Sequence, residues 1–291
     1  DWATRMPIAW SDALFTATSA VTVTGLAVLD TETYFTTAGQ LVLLILVQLG
    51  GIGIMTFAAL TLLLLGHQLG IGEQRLVREA MNHTRVMDLG WLIKRIFVLV
   101  FVIEMIGFLL LAIILVPEQG WQTGCFHALF YSVSAFNNAG FALTADSLVP
   151  RAGHWPLALV LGSLAVVGGL GFTVLAELRL RTRWSAMSLH SRLMLSGTAA
   201  LLLIAYAVFL VCEWNNPATL GPYGLSEKLA IGFFHAIVPR SAGFNMIDVG
   251  SMTLAVTLLY IVLMFIGAGT NSSGGGIKVT TFMVLILSTR A

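Results

Sequence analysis

Three stretches of this 291-residue chain set a glycine behind a short apolar segment and ahead of a large apolar residue. They are Ser19-Ala20-Val21-Thr22-Val23-Thr24-Gly25-Leu26, Ser134-Ala135-Phe136-Asn137-Asn138-Ala139-Gly140-Phe141 and Ile237-Val238-Pro239-Arg240-Ser241-Ala242-Gly243-Phe244. A phenylalanine lies ten positions before each glycine: Phe15, Phe130 and Phe233. Glycine admits backbone angles that a Cβ forbids, so several carbonyls can be aimed at one axis. Carbonyls so aimed can replace the hydration shell of a cation. The candidate coordinating positions are Val23, Thr24, Gly25 and Leu26, then Asn138, Ala139, Gly140 and Phe141, then Ser241, Ala242, Gly243 and Phe244. None carries a charge, so carbonyls rather than carboxylates would hold the ion, which favours a monovalent cation over calcium. Leu26, Phe141 and Phe244 are expected to wedge behind the three loops.

Such loops need a scaffold at membrane depth, because bare backbone is tolerated there only where it lines an aqueous path or is buried in protein. The composition supplies one. Hydrophobic residues make up 57% of the chain and charged residues 10%, against about 25% charged in a soluble domain. The glycines lie 115 and then 103 residues apart, too far for a solenoid repeat and suited to two membrane helices flanking a re-entrant loop. Residues 11–20, Phe126 to Ser134 and Glu227 to Ile237 read as short pore-type helices. Leu41 to Leu65, Trp91 to Val116, Pro156 to Glu177 and Leu193 to Cys212 are apolar enough to span, a length of about 20 residues. A fifth span begins at Ser251 and breaks at 267–276. The expected architecture is all-α and membrane-embedded, in helix/pore-loop/helix units: a first repeat at 1–65, a second at 91–178 and a third at 192–291.

Charge orients these units. Nine of the fifteen Lys and Arg fall in 66–95 and 179–192, and cytoplasmic loops carry such an excess. All three glycine stretches then enter from the outside. The break comprises Gly267, Gly269, Thr270, Asn271, Ser272, Ser273, Gly274, Gly275 and Gly276, with Lys278 close behind. It matches half of a phosphate loop, but Gly275 stands where lysine is required. Lys278 could serve the pathway or snorkel to the interface. Arg240 is expected to brace its loop from behind. Glu104, mid-helix in an apolar span, needs a partner, with an Asn or Ser of a pore helix the candidate. Gly50-Gly51-Ile52-Gly53 reads as a packing seam. Cys125 and Cys212 make neither a disulfide framework nor a metal pattern. A net charge of +1 points to no nucleic acid.

On Thr22-Val23-Thr24-Gly25-Leu26, Asn137-Asn138-Ala139-Gly140-Phe141, Pro239-Arg240-Ser241-Ala242-Gly243-Phe244 and the run Gly267 to Lys278, the chain resembles the ion-conducting subunits of the Trk/Ktr/HKT superfamily of potassium transporters, nearest to its bacterial Ktr and Trk members. The resemblance implies four unequal membrane-helix/pore-loop/membrane-helix repeats around one pore, with K+ as the permeant ion at the filter carbonyls and no cofactor in this chain. It implies that the loop at 267–276 lies beneath the filter as a gate. It implies a homodimer in the plasma (inner) membrane, above a cytosolic nucleotide-binding ring of the RCK type. A glycine at all three visible filter positions resembles the potassium-selective members. No helix precedes the first pore helix and no fourth filter follows Ala291, so the expectation is a piece of a longer chain.

Two other classes compete. A secondary transporter would bind a small solute at broken helices, usually between inverted repeats, whereas these loops all enter from one side. A membrane enzyme would need a cluster of His, Asp, Glu or nucleophilic Ser, and Glu104 stands alone.

Overall fold

A computed structural model describes residues 2–53, 89–180, 183–240, 242–269, 272 and 274–289. Among them every named element is a helix, and the two β-bridges are isolated pairs. In chain order the α-helices are α1 (Trp10–Val21), α2 (Thr31–Tyr34), α3 (Thr37–Ile52), α4 (Leu89–Gln119), α5 (Trp121–Phe136), α6 (Trp155–Leu170), α7 (Phe172–Leu180), α8 (Leu189–Glu213), α9 (Leu225–Ile237), α10 (Leu254–Phe265) and α11 (Val279–Ser288). Most of the basic stretch at 66–95, and the part of the expected span Leu41 to Leu65 beyond Gly53, fall outside the described residues.

Among the described residues two segments are long and apolar enough to cross a membrane, Phe97–Gln119 of α4 and Leu189–Glu213 of α8. Phe101, Ile106, Leu109 and Ile113 of α4 and Leu203 and Val211 of α8 are exposed, as lipid-facing side chains would be. The expected single span from Pro156 to Glu177 is a correction. Its axis bends by 99° between α6 and α7. The cause is Gly171, at φ +87 and ψ 149, where the i→i−4 ladder stops. Gly53 ends α3 in the same conformation, at φ +82 and ψ 141. Thus Gly50-Gly51-Ile52-Gly53 and Gly168-Gly169-Leu170-Gly171 are two copies of one device, a seam followed by a stop.

The short helices α1 and α5 end alike. Past the last turn of α1, Val23 takes φ +54 and Thr24 N–H reaches back to the Ser19 carbonyl at 2.9 Å. Past α5, Asn138 takes φ +57 and Ala139 N–H reaches the Ser134 carbonyl at 2.8 Å. This left-handed cap satisfies carbonyls that the helix leaves open. Asparagine suits the position. Valine does not, and Val23 holds it while buried. The third short helix, α9, differs: Val238-Pro239-Arg240 adds a turn, and Ala242 N–H bonds the Val238 carbonyl at 3.0 Å.

Bare glycines seat the following helix on each cap. A Cβ on Gly50 would fall 2.0 Å from the Val21 carbonyl oxygen, and one on Gly168 would fall 1.7 Å from that of Phe136. Val21 and Phe136 each end a short helix, four residues before its glycine. The main core surrounds α5, where Phe130, Tyr131, Phe136, Phe141 and Phe244 are almost wholly buried. On one rim the buried Glu213 carboxylate accepts from Thr219 Oγ1 (2.5 Å), Asn216 Nδ2 (2.7 Å), Thr253 N (2.8 Å) and Thr253 Oγ1 (2.6 Å), tying α8 to the start of α10. At the other end of α8, Glu177 of α7 accepts from Ser188 N and Ser188 Oγ, both at 2.6 Å.

Neighbouring glycines should therefore tolerate substitution very differently. Gly168→Ala drives a methyl into backbone that cannot yield and should cost at least ~2 kcal/mol, at the upper end of ordinary overpacking. Gly169→Ala meets nothing closer than 3.7 Å and should be near neutral. Thermal unfolding of the two variants in detergent, followed by size-exclusion chromatography, checks the contrast.

Candidate functional site

The three glycine loops meet. Gly25, Gly140 and Gly243 hold φ of +79, +72 and +71. A Cβ on Gly25 would lie 2.3 Å from the Ala139 carbonyl oxygen, and one on Gly140 would lie 2.7 Å from the Cα of Gly243. The second loop therefore sits between the first and the third, backbone against backbone. The C-terminal ends of α1, α5 and α9 all point at this meeting place, and a helix C-terminus carries about half a negative charge. An open cavity of about 400 Å³ has the three glycines on its wall, together with Asp30, Thr31, Thr144 and Asn245.

Of the expected coordinating residues, Val23, Asn138, Ala139, Phe141, Ala242 and Phe244 are buried, while Thr24 and Gly243 are exposed. Phe141 and Phe244 are wedges, each at most 2% exposed. Leu26 is not: it is 60% exposed, a correction whose cause is that no described element packs over the first loop on that side. Ser241 lies outside the described residues, as do Thr270, Asn271 and Ser273.

Side chains to which the sequence reading gave no such part hold the loops from behind. Ser134 Oγ donates to the Phe141 carbonyl at 2.9 Å, and Leu143 N–H donates to Tyr131 Oη at 3.3 Å. In the third unit Met246 N–H donates to His235 Nε2 at 3.1 Å. This bond fixes the imidazole tautomer: the proton sits on Nδ1, which donates to Tyr260 Oη at 2.8 Å, while that hydroxyl donates to the His235 carbonyl at 3.0 Å. Tyr131 precedes Gly140 by nine residues and His235 precedes Gly243 by eight. A polar aromatic roughly two turns before each of these glycines was the signal available. The exits of the second and third loops also bond each other, Leu148 N–H to the Asn245 carbonyl (2.8 Å) and Asn245 N–H to Ser147 Oγ (3.0 Å).

The break after α10 is closed at its base like a neck. Gly267 N–H donates to the Ile277 carbonyl (3.0 Å) and Ile277 N–H to the Phe265 carbonyl (2.9 Å). The two sides touch so closely that a Cβ on Gly267 would fall 1.6 Å from the Gly275 carbonyl oxygen. Gly276 turns the chain at φ +77. Ser272 Oγ donates to the Gly269 carbonyl at 2.7 Å. Lys278 is half-buried, and its Nζ donates to the Gly274 carbonyl at 2.6 Å. The neck docks on the seam of α6, where Gly269 N–H bonds the Gly169 carbonyl at 2.7 Å. Arg240, 8% exposed, donates through Nη2 to the Gly267 carbonyl at 3.4 Å. It braces across to the neck, with no carboxylate partner among the described residues.

Glu104, also nearly buried, has its partners on two neighbouring elements. Gln48 Nε2 donates to its Oε2 at 2.9 Å and Asn137 Nδ2 to its Oε1 at 3.1 Å. Ser132 Oγ bonds its backbone carbonyl at 2.6 Å.

Comparison with known proteins places the chain among cation transporters of known sequence and structure. A family model described as "TrkH: Cation transport protein" matches residues 2–291. The chain is 47% identical to the Ktr system potassium uptake protein B of Bacillus subtilis, over 98% of this chain and 64% of that protein. It is 44% identical to the Ktr system potassium uptake protein B of Vibrio alginolyticus, over 96% and 62%. It is 37% identical to the potassium/sodium uptake protein NtpJ of Enterococcus hirae, over 96% and 62%. The chain thus spans a little under two thirds of the length of these relatives. The crystal structure of the potassium transporter TrkH from Vibrio parahaemolyticus superposes with a TM-score of 0.68 at 20% identity, covering 97% of this chain and 55% of that one.

The His235 clamp yields a stability prediction. Tyr260→Phe leaves the buried Nδ1–H without an acceptor and should cost about 1–3 kcal/mol. Thermal unfolding in detergent measures it. A double-mutant cycle with His235→Phe should show the two losses to be non-additive.

Proposed function

The chain belongs to the TrkH family of cation transport proteins, and we propose that it forms three walls of a pore that admits potassium through a filter of backbone carbonyls. The meeting of Gly25, Gly140 and Gly243 carries this reading. Three loops of one direction, each following a short helix whose negative end faces the junction, suit a cation that trades water for carbonyls. The filter comprises residues 23–26, 138–141 and 241–244. The relatives' names speak of potassium uptake and, for one, of potassium and sodium.

The loop at 267–276 is the gate of this reading. It sits beside the second and third filter loops, held by the Gly169 carbonyl and by Arg240. Movement would exchange those bonds for others of similar worth, so a modest push from a partner could shift the balance. The setting is the plasma (inner) membrane. The subunit pairs with a second copy, above a cytosolic nucleotide-binding ring of the RCK type. The basic loops at 66–95 and 179–192 face that ring.

Two measurements on a full-length transporter carrying this chain test the reading. Gly25→Ser puts a Cβ where only 2.3 Å separates it from the Ala139 carbonyl oxygen, and discrimination between potassium and sodium should fall; unchanged relative uptake at normal membrane levels speaks against the filter. Deleting Gly269 to Gly274 should raise flux and loosen its dependence on the regulatory partner. Reduced flux that is still fully regulated would make the loop structural.

A further inference from the structure

We propose that Asp30 supplies a fixed negative charge at the mouth of the three glycine loops, and that this charge sets the apparent affinity for potassium without choosing between potassium and sodium. This role rests on the pore reading above. In that reading a cation crosses the open cavity of about 400 Å³ before it meets the loop carbonyls, and Gly25, Gly140 and Gly243 are on the cavity wall. Among the described residues of that wall, Asp30 is the one that carries a charge; Thr31, Thr144, Ser147 and Asn245 are polar and neutral. Glu32 and Asp146 are exposed and directly follow the wall residues Thr31 and Ala145, so they add charge of the same sign.

The carboxylate is held in place. Its Oδ1 accepts from Glu32 N–H at 3.2 Å, and its Oδ2 accepts from Thr33 N–H at 3.3 Å and from Thr33 Oγ1 at 2.8 Å. These bonds cap the four-residue helix α2. Capping explains a short polar side chain at this position, but it does not explain a charge. Asparagine and serine cap a helix about as well as aspartate. Asp30 is only half-buried, so it keeps its charge in contact with water at neutral pH.

A cleft of one charge sign with low-dielectric walls raises the local concentration of the opposite ion. Through water, a unit charge is worth about fivefold in that concentration at ~4 Å and about twofold at ~8 Å. The effect depends on charge alone, so potassium and sodium are concentrated alike. Choice between them stays with the backbone of the glycine loops. Asp30 is therefore a positioning residue that acts across the cavity, and the carbonyls remain the ligands.

The experiment uses a purified full-length transporter carrying this chain, in liposomes of neutral lipid. Asp30→Asn keeps the cap and removes the charge. At low ionic strength half-saturating potassium should rise about two- to fivefold, while maximal uptake and potassium-over-sodium preference stay close to the parent. In about 1 M of an impermeant salt, where the Debye length falls to about 3 Å, the parent and the variant should converge. An unchanged half-saturation at low salt, or a difference that survives high salt, overturns the proposal. A second variant removes any doubt about folding. Asp30→Cys is labelled from outside with an anionic or a cationic methanethiosulfonate, with the labelled parent as the blank. Within this one preparation the anionic label should give half-saturating potassium at least about fourfold lower than the cationic one; equal values overturn the proposal. If Gly25→Ser leaves discrimination between potassium and sodium unchanged, the pore reading fails and takes the role of Asp30 with it. If Gly25→Ser lowers discrimination while Asp30→Asn changes nothing, the role of Asp30 alone falls.

Discussion

Backbone pressed against backbone is the constraint on which this structure depends. A carbonyl at membrane depth cannot turn to water, so it must be covered by another part of the chain. The carbonyls that end α1 and α5 are covered by helices stripped of Cβ atoms at Gly50 and Gly168. The glycine loops then cover each other, Gly25 on Ala139 and Gly140 on Gly243. Closeness of this kind leaves no room for a side chain, which is why glycine recurs at the same places in each unit.

The second ingredient is a set of side chains that finish the hydrogen bonding without adding bulk at the junction. Ser134, Tyr131 and His235 each reach a loop from the helix behind it. Gln48 and Asn137 do the same around Glu104. These bonds link α3, α4 and α5, so the first two units are joined by polar contacts as well as by packing. Arg240 extends the pattern from the third loop to the neck at Gly267. The result is a rigid frame around a site whose own atoms are mostly main chain.

Much of this was legible in the sequence because the pattern repeats. The three short helices lie where the glycine spacing put them; α1 and α9 match the expected bounds to within two residues, while α5 begins at Trp121, five residues before the expected Phe126. The partner sought for Glu104 is an asparagine of a pore helix, as expected from the need to satisfy a buried acid. What the sequence hid depends on neighbours rather than on local pattern. Leu26 follows its glycine just as Phe141 and Phe244 do, yet it is exposed, because a wedge needs something to wedge against. The stop at Gly171 was hidden by the apolar run that continues through Phe172, where composition reads one span and a single backbone angle makes two. Gln48 read only as a polar residue within the expected span Leu41 to Leu65, and its place opposite Glu104 gives it a role.

The neck at Ile266 and Ile277 has one further consequence. Because its two sides are pinned to each other, α10 and α11 keep their relation whatever lies between. A closed loop of this kind costs only about 0.6 kcal/mol for each doubling of its length. The pairing of α10 with α11 is thus set at the base of the neck and not by the chain that the neck encloses.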